Sequence, residues 1–421
     1  MTHLMTYLFI ILSCIFFLHT IPKARAAVTS LTTGIALRQE YDSNVFRTPD
    51  NEIDEWNTYV SPLVALSSEW RANQTSLRYE PDFIYNNRTS DDTFNHNVFF
   101  NSDFELQHTT ISLSDTFLQR ENPYSDEDVG IDIIDERGRN RYTANNAAVD
   151  LKHDFGRRDY YGLGYSYYTF DNEENFLEDF TRQKPYVELG IELSPHWQSI
   201  LRNTLTYGDF EISDNVVSNQ SEISFNRYIS PSRTLLLHYI FNYTDYQGDS
   251  PDYDVHTAGI GYTATQPETD FHMEVGASHV QGELDEDETT GYLLLNIEQQ
   301  DRHGTYILTG ESGFEGLYFS GDVDGLSRYW LARADIRYQF AKTIRSSIYT
   351  SYREDTFVER EPELQEQLLR AGTSVSFGFF RWYALVLDYA YTRLYADRAA
   401  DEYDDHRFFI ELRAQKEVWK Y

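Results

Sequence analysis

Apolar and polar side chains alternate over runs of ten to fourteen residues, again and again along the chain. A period of two belongs to extended backbone, and so long a run sets one face against lipid or a core and the other against water. From Arg328 to Phe340, Trp330, Ala332, Ala334, Ile336, Tyr338 and Phe340 share one face, while Tyr329, Leu331, Arg333, Asp335, Arg337 and Gln339 share the other. Such a strand is too long for an ordinary sandwich. Between Arg381 and Tyr391 one face reads Tyr383, Leu385, Leu387, Tyr389, Tyr391, with aromatics at the ends and leucines between. That is the pattern of a strand crossing a bilayer, whose two interfaces favour aromatic rings and whose middle favours aliphatic groups. The same texture recurs around Phe100, Leu163, Leu237 and Ile410. From about Leu31 to Tyr421 no linker, composition shift or long helix-period stretch interrupts it, which implies one domain.

The connections carry a second rhythm. Short turns at 71–74, 156–158, 194–196, 230–232, 301–304, 340–342 and 378–380 alternate with longer acidic segments at 43–55, 121–140, 171–180, 247–253, 283–288, 318–325, 356–364 and 396–404. Strict alternation of long and short connections describes a meander of hairpins with one loop-rich end, the asymmetry of outer-membrane barrels. The chain is therefore predicted to be all-β, a transmembrane antiparallel up-and-down β-barrel of about 20 strands, with 18 as the alternative and both termini periplasmic. The first strand is placed near Thr32 to Asp42 and the last near Asp405 to Glu417; the alternation is least regular between Thr181 and Tyr228. An even count lets the last strand pair with the first and leaves no open edge in lipid. A soluble propeller or array of sandwiches would need blade repeats that the sequence lacks.

Residues 8–18 form an apolar core of signal-peptide length, followed by Pro22 and the small-x-small run Ala24-Arg25-Ala26. Residues 1–26 are read as a secretory signal peptide and 27–421 as the barrel. Cys14, the single cysteine, would leave with the signal, so the mature barrel is expected to carry no disulfide. Composition fits this class and excludes others. Tyr 33, Phe 27 and Trp 6 make an aromatic-rich chain, yet 68 Asp and Glu against 35 Lys and Arg leave a net charge of −33. Beyond the first 30 residues no apolar stretch reaches the roughly 18 residues of a spanning helix, which excludes a helical bundle in the membrane. Nucleic acid is excluded as a partner, since phosphate binding requires clustered positive charge.

A barrel of this strand number is too wide for its side chains to fill and implies an aqueous lumen. With strands beginning close to the mature terminus, there is no room for an N-terminal plug; the 121–140 segment is the largest candidate for a constricting loop. Alternation puts Arg333, Arg337, Arg345, Arg353, Arg370, Arg407 and Arg413 on lumenal faces of nearby strands, the candidate pore-lining residues. A planar guanidinium suits carboxylates, phosphates and sugar hydroxyls. Two readings follow: a cationic strip that an anionic polymer could follow, or arginines that brace the wall against Asp335, Asp388 and Glu411. The second is favoured, because arginine is also the common partner in rigid interior pairs.

Acidic runs such as Asp126-Glu127-Asp128 and Asp401-Glu402-Tyr403-Asp404-Asp405 suit a lipopolysaccharide surface held by divalent cations. Asp322-Val323-Asp324-Gly325 lacks the remaining ligands of a calcium loop, so no metal site and no cofactor are expected. His238 and His279 are scattered histidines without a motif serine, and no enzymatic activity is expected.

The run Glu40-Tyr41-Asp42-Ser43-Asn44-Val45-Phe46-Arg47-Thr48-Pro49, followed by Tyr59-Val60-Ser61-Pro62-Leu63, resembles the opening of the putative β-barrel porin 2 family and related barrels found beside exosortase and exopolysaccharide systems. The motif covers about thirty residues, and Asp42, Asn44 and Phe46 are read in it as a turn. The resemblance implies an integral outer-membrane porin-like barrel, often associated with surface-polysaccharide export. It implies polysaccharide and periplasmic export proteins as partners and supplies no catalytic residues. The aromatic-rich C-terminus, Val418-Trp419-Lys420-Tyr421, resembles the terminal signal read by the barrel-assembly machinery, with a register slip between Ala414 and Trp419.

Overall fold

The structure, a computed structural model, describes residues 28–88, 92–121, 141–173, 178–248, 250–282, 287–316, 325–358 and 363–421. The signal segment 1–26 with Cys14, nearly all of the 121–140 loop, and Asp322 to Asp324 lie outside the described residues.

The strands in chain order are β1 (Val28–Asp42), β2 (Glu55–Trp70), β3 (Asn73–Tyr79), β4 (Asp82–Asn86), β5 (Asp92–Glu105), β6 (Thr109–Arg120), β7 (Tyr142–Asp154), β8 (Tyr160–Asn172), β9 (Phe180–Ser194) and β10 (Trp197–Phe210). They continue with β11 (Val216–Ser230), β12 (Arg233–Tyr246), β13 (Tyr253–Gln266), β14 (Thr269–Gly282), β15 (Glu288–Gln300), β16 (Gly304–Gly316), β17 (Leu326–Ala341), β18 (Ile344–Phe357), β19 (Leu364–Phe379), β20 (Tyr383–Ala396) and β21 (Tyr403–Lys420). Neighbours in sequence pair antiparallel, and β1 pairs with β21, so the sheet closes on itself. No backbone edge is left to face hydrocarbon.

The twenty-first strand arises from one interruption. β3 and β4 occupy a single position between β2 and β5, and the register runs through the gap without a slip: Val64 pairs with Tyr79 and Val60 with Phe83, then Tyr79 with Val98 and Phe83 with Phe94. Pro81 breaks the ladder because it has no N–H to donate. Side chains make up the loss. Asn97 Nδ2 donates to the Glu80 carbonyl (2.7 Å) and to Asp82 Oδ2 (2.9 Å), and Ser61 Oγ donates to Asp82 Oδ1 (2.5 Å). Counting β3 and β4 as one gives the barrel of 20 strands expected from the alternation.

The irregular stretch from Thr181 to Tyr228 resolves into β9, β10 and β11, separated by the turn at 195–196 and the loop at 211–215. The outermost strands reach further than their sequence patterns, β1 beginning at Val28 and β21 ending at Lys420. The slip near the C-terminus is a bulge. Thr32 pairs with Glu417 but Leu31 with Trp419, which leaves Val418 as the extra residue. Reciprocal backbone bonds between Thr29 and Tyr421 (3.0 and 2.8 Å) finish the seam.

Faces follow from the pairing. Ile260 (61% exposed), Leu237 (53%) and Ile348 (53%) point away from the barrel axis, and with them Trp330, Ile336, Tyr389, Ile410 and Leu412. Large apolar side chains therefore cover the outside, as a lipid-facing surface requires, while the partners of their sequence neighbours line the inside.

Candidate functional site in the barrel lumen

The inward face is built from three layers. Nearest the long loops lies a belt of inward apolar side chains: Leu118, Phe170, Phe180, Phe210 and Tyr253 are among a buried cluster with one or two members at the loop end of each strand from β6 to β14. Rings stack along it, Tyr142 on Phe170 (5.1 Å between centroids) and Phe170 on Phe180 (5.6 Å), and Phe210 lies tilted against Phe180 (5.4 Å). This narrowing of the loop end escapes a reading based on alternation alone. Its signal in the sequence is the aromatic or aliphatic residue at the inward position beside each acidic loop.

The middle layer is polar and lies flat. Tyr186 Oη donates to Asp150 Oδ1 (2.6 Å) from β9 to β7, crossing over Gly164 of β8, where a Cβ would collide with the tyrosine ring. His238 of β12 reaches Glu274 of β14 (2.7 Å) across Gly259 of β13, where a Cβ would lie 2.6 Å from His238 Nε2. Glycine in the central strand lets flanking side chains bridge three strands against the wall, an arrangement related to aromatic rescue of sheet glycines. His272 Nε2 also contacts Glu274 (2.6 Å), Tyr160 donates to Glu188 (2.7 Å), and the Arg202 guanidinium lies 4.4 Å from the Tyr186 ring centroid. The histidines weighed for chemistry thus divide: His238 is buried in an inward bridge, whereas His279 lies on the outward face and contacts Thr289 (2.9 Å). Among the described residues no three metal-ligating side chains come together.

The third element is the arginine strip. Pairing sets Arg333 and Arg337 of β17, Arg345 and Arg353 of β18, Arg370 of β19, and Arg407 and Arg413 of β21 on the face opposite Ile336, Ile348 and Ile410. Four of them hold a carboxylate two residues away on the same face: Arg333 with Asp335 (2.6 Å), Arg353 with Asp355 (2.7 Å), Arg407 with Asp405 (3.3 Å) and Arg413 with Glu411 (2.7 Å). Arg353 also binds Glu315 of β16 (2.7 Å), and Asp388 accepts from Ser374 rather than from an arginine. Arg370 lies half-buried. Arg337 and Arg345 are exposed near the turn between β17 and β18. Arg38 with Glu40 (3.6 Å) and Arg78 with Glu80 repeat the same two-residue spacing elsewhere around the wall. The strip is mostly a set of braces, and its carboxylates cancel most of its charge.

The turn read at Asp42 to Phe46 is a clasp across the seam. Asn44 is fully buried; its Nδ2 donates to the Thr48 carbonyl (2.8 Å) and to the Asp404 carbonyl of β21 (3.1 Å), and its Oδ1 accepts from Thr48 N–H (3.0 Å). Its own N–H donates to Asp42 Oδ1 (2.9 Å). Ser43 and His406 add a backbone bond (3.0 Å) and a side-chain bond (2.8 Å). Phe46 is exposed and makes no part of this network.

Residues 31–184 match the family described as putative beta-barrel porin 2, an interval that contains the Asp42–Phe46 clasp and the Val-Ser-Pro strand. No curated protein matches the chain in sequence. Among solved structures, the siderophore receptor PirA from Acinetobacter baumannii is similar with a TM-score of 0.51 at 9% identity, over 92% of this chain and 80% of that one. OpdK from Pseudomonas aeruginosa, solved with vanillate, gives 0.44 at 11% identity over 92% and 99%. OccK2 (OpdF) from the same organism, in complex with glucuronate, gives 0.45 at 10% identity over 92% and 96%. At such identities the likeness is one of fold. The chain is a closed antiparallel β-barrel whose first part, residues 31–184, matches the putative beta-barrel porin 2 family.

Proposed function

We propose that the barrel is a conduit for a surface polysaccharide, with both termini on the periplasmic side and the long acidic loops facing a lipopolysaccharide surface. The observation that carries this reading is the flat middle layer, where tyrosine rings and the carboxylates they hydrogen-bond lie against the wall over glycines. Sugars present hydroxyls and apolar ring faces together. Aromatic faces and fixed polar pairs recognise both, without the strong binding that would stall a moving chain. Arg337 and Arg345, exposed near the turn-end mouth, are the pore-lining residues most accessible to a passing chain; the braced arginines shape the wall. The export proteins that would feed the conduit from the periplasm, and the machinery that would insert it through its C-terminal strand, are separate partners in this reading.

A passive pore for small solutes is the second reading. It draws on the inward carboxylates, among them Glu188, Glu222, Glu311 and Glu315, which outnumber inward arginine and lysine and favour cations. Deleting the gene separates the two. The conduit predicts loss of surface polymer with uptake of small solutes unchanged; intact polymer with lost uptake would contradict it.

A further inference from the structure

One side of the barrel breaks the rule that the outside is apolar. On the wall formed by β13 to β16, the outward residues at the strand centres are Ile260, Val275, Leu293 and Leu308, each in register with an apolar neighbour. On the wall formed by β6 to β11 the outward centres of β7, β8 and β9 are likewise apolar, at Val149, Leu163 and Val187, but those of β6 and β10 are polar. Asp115 stands at the centre of β6, flanked outward by Leu113 and Phe117, and accepts from Asn145 Nδ2 of β7 (2.8 Å). Asn203 stands at the centre of β10, level with Ser221 of β11 and in register with Val187 of β9. Gln183 on β9 continues the polar band toward the loop end.

The cluster around Asn203 has groups left over. Asn203 Nδ2 donates to Asn219 Oδ1 (2.7 Å) and to Ser221 Oγ (2.9 Å), which uses both of its hydrogens. Among the described residues, Asn203 Oδ1 has no donor and Asn219 Nδ2 no acceptor, although both side chains face outward and are only half-buried. Exchanging O and N in both amides moves the surplus but does not remove it. Lipid tails offer no hydrogen bond, so the surplus costs free energy wherever hydrocarbon covers it, and within the bilayer only protein can satisfy it. One surplus acceptor beside one surplus donor is a self-complementary set. A second copy related by a two-fold axis along the membrane normal presents a donor to each acceptor and an acceptor to each donor.

We propose that the outward face of β6 to β11 is the surface on which two copies of this chain pair within the membrane, with Asn203 and Asn219 at the axis. Single cysteines placed in the full chain, with Cys14→Ser, test this by oxidation in native outer membranes. Leu205→Cys, on the outward face beside the cluster, is expected to give a linked species of twice the monomer mass. Leu293→Cys, at a central outward position of β15 on the apolar wall, is expected to give none. Adding Asn203→Leu and Asn219→Leu to Leu205→Cys should lower the linked fraction about tenfold, the effect expected for two membrane-buried hydrogen bonds. Heat-dependent gel mobility verifies that each variant forms a barrel, and apolar replacements on a lipid-facing surface favour insertion. Equal linkage at both positions, no linkage at Leu205→Cys, linkage only to a different protein, or linkage that survives loss of both asparagines overturns the proposal.

Discussion

Asn44 spends every hydrogen-bonding atom of its side chain on joining the first loop to the last strand. Asn44→Ala leaves buried backbone groups without partners, a loss of about 1–3 kcal/mol. The expected result is faster hydrogen exchange at 43–54 and at the loop end of β21, with the rest of the barrel unchanged; uniform exchange across the barrel would show the clasp to be unimportant. Gly164 carries a comparable constraint by having no side chain. Gly164→Ala forces Tyr186 off the wall and breaks its bond to Asp150, at an expected cost of about 1–3 kcal/mol in a urea unfolding measurement. Asp301, in the turn between β15 and β16, accepts from the N–H groups of His303 and Gly304 (both 2.7 Å), and these donors hold its carboxyl below the usual carboxylate range. The stabilisation is then complete above about pH 4, where the unfolded chain is also ionised, and fades as pH falls through the lower folded-state value. The stability gap between the native chain and Asp301→Ala should therefore shrink on acidification, and a gap independent of pH would count against it.

At the scale of the strand, the two-residue spacing of arginine and carboxylate separates bracing from lining. Arg333→Ala strips the partner from the half-buried Asp335 and Arg353→Ala from the buried Asp355, and both are expected to lower stability. Arg337→Ala and Arg345→Ala touch no such pair and should leave stability intact while shifting ion selectivity toward cations, read as a change in reversal potential under a salt gradient. Unaltered selectivity would assign these two to the rim instead of the pore. The faces of β17, β18 and β21 were legible in the sequence because period-two alternation is unbroken there. So were the pairs of Arg333 and Arg413, whose partners Asp335 and Glu411 were evident. The loop at 211–215 and the turns at 106–108 and 267–268 were less visible, since they are short and carry little composition signal. The loop-end belt was hidden for a different reason. Its residues look like ordinary lipid-facing apolar positions until the pairing fixes which face each strand turns inward, and a slip of one residue reverses every face.

At the scale of the molecule, the strongly acidic charge and the abundance of aromatics occupy different places. Aromatics such as Trp330, Tyr383 and Tyr389 stand on the outward face, others such as Phe170 and Phe180 build the belt, and inward carboxylates are largely tied to arginine, histidine or tyrosine. In the proposed function, a closed sheet of this size with a polar inner wall passes solute through a membrane. Single-channel recording in planar bilayers, with a linear neutral oligosaccharide added to one side, tests that claim most directly. The expected record shows discrete conductance steps that the oligosaccharide interrupts in a concentration-dependent way; a barrel that inserts and stays silent, or steps indifferent to the sugar, would contradict it.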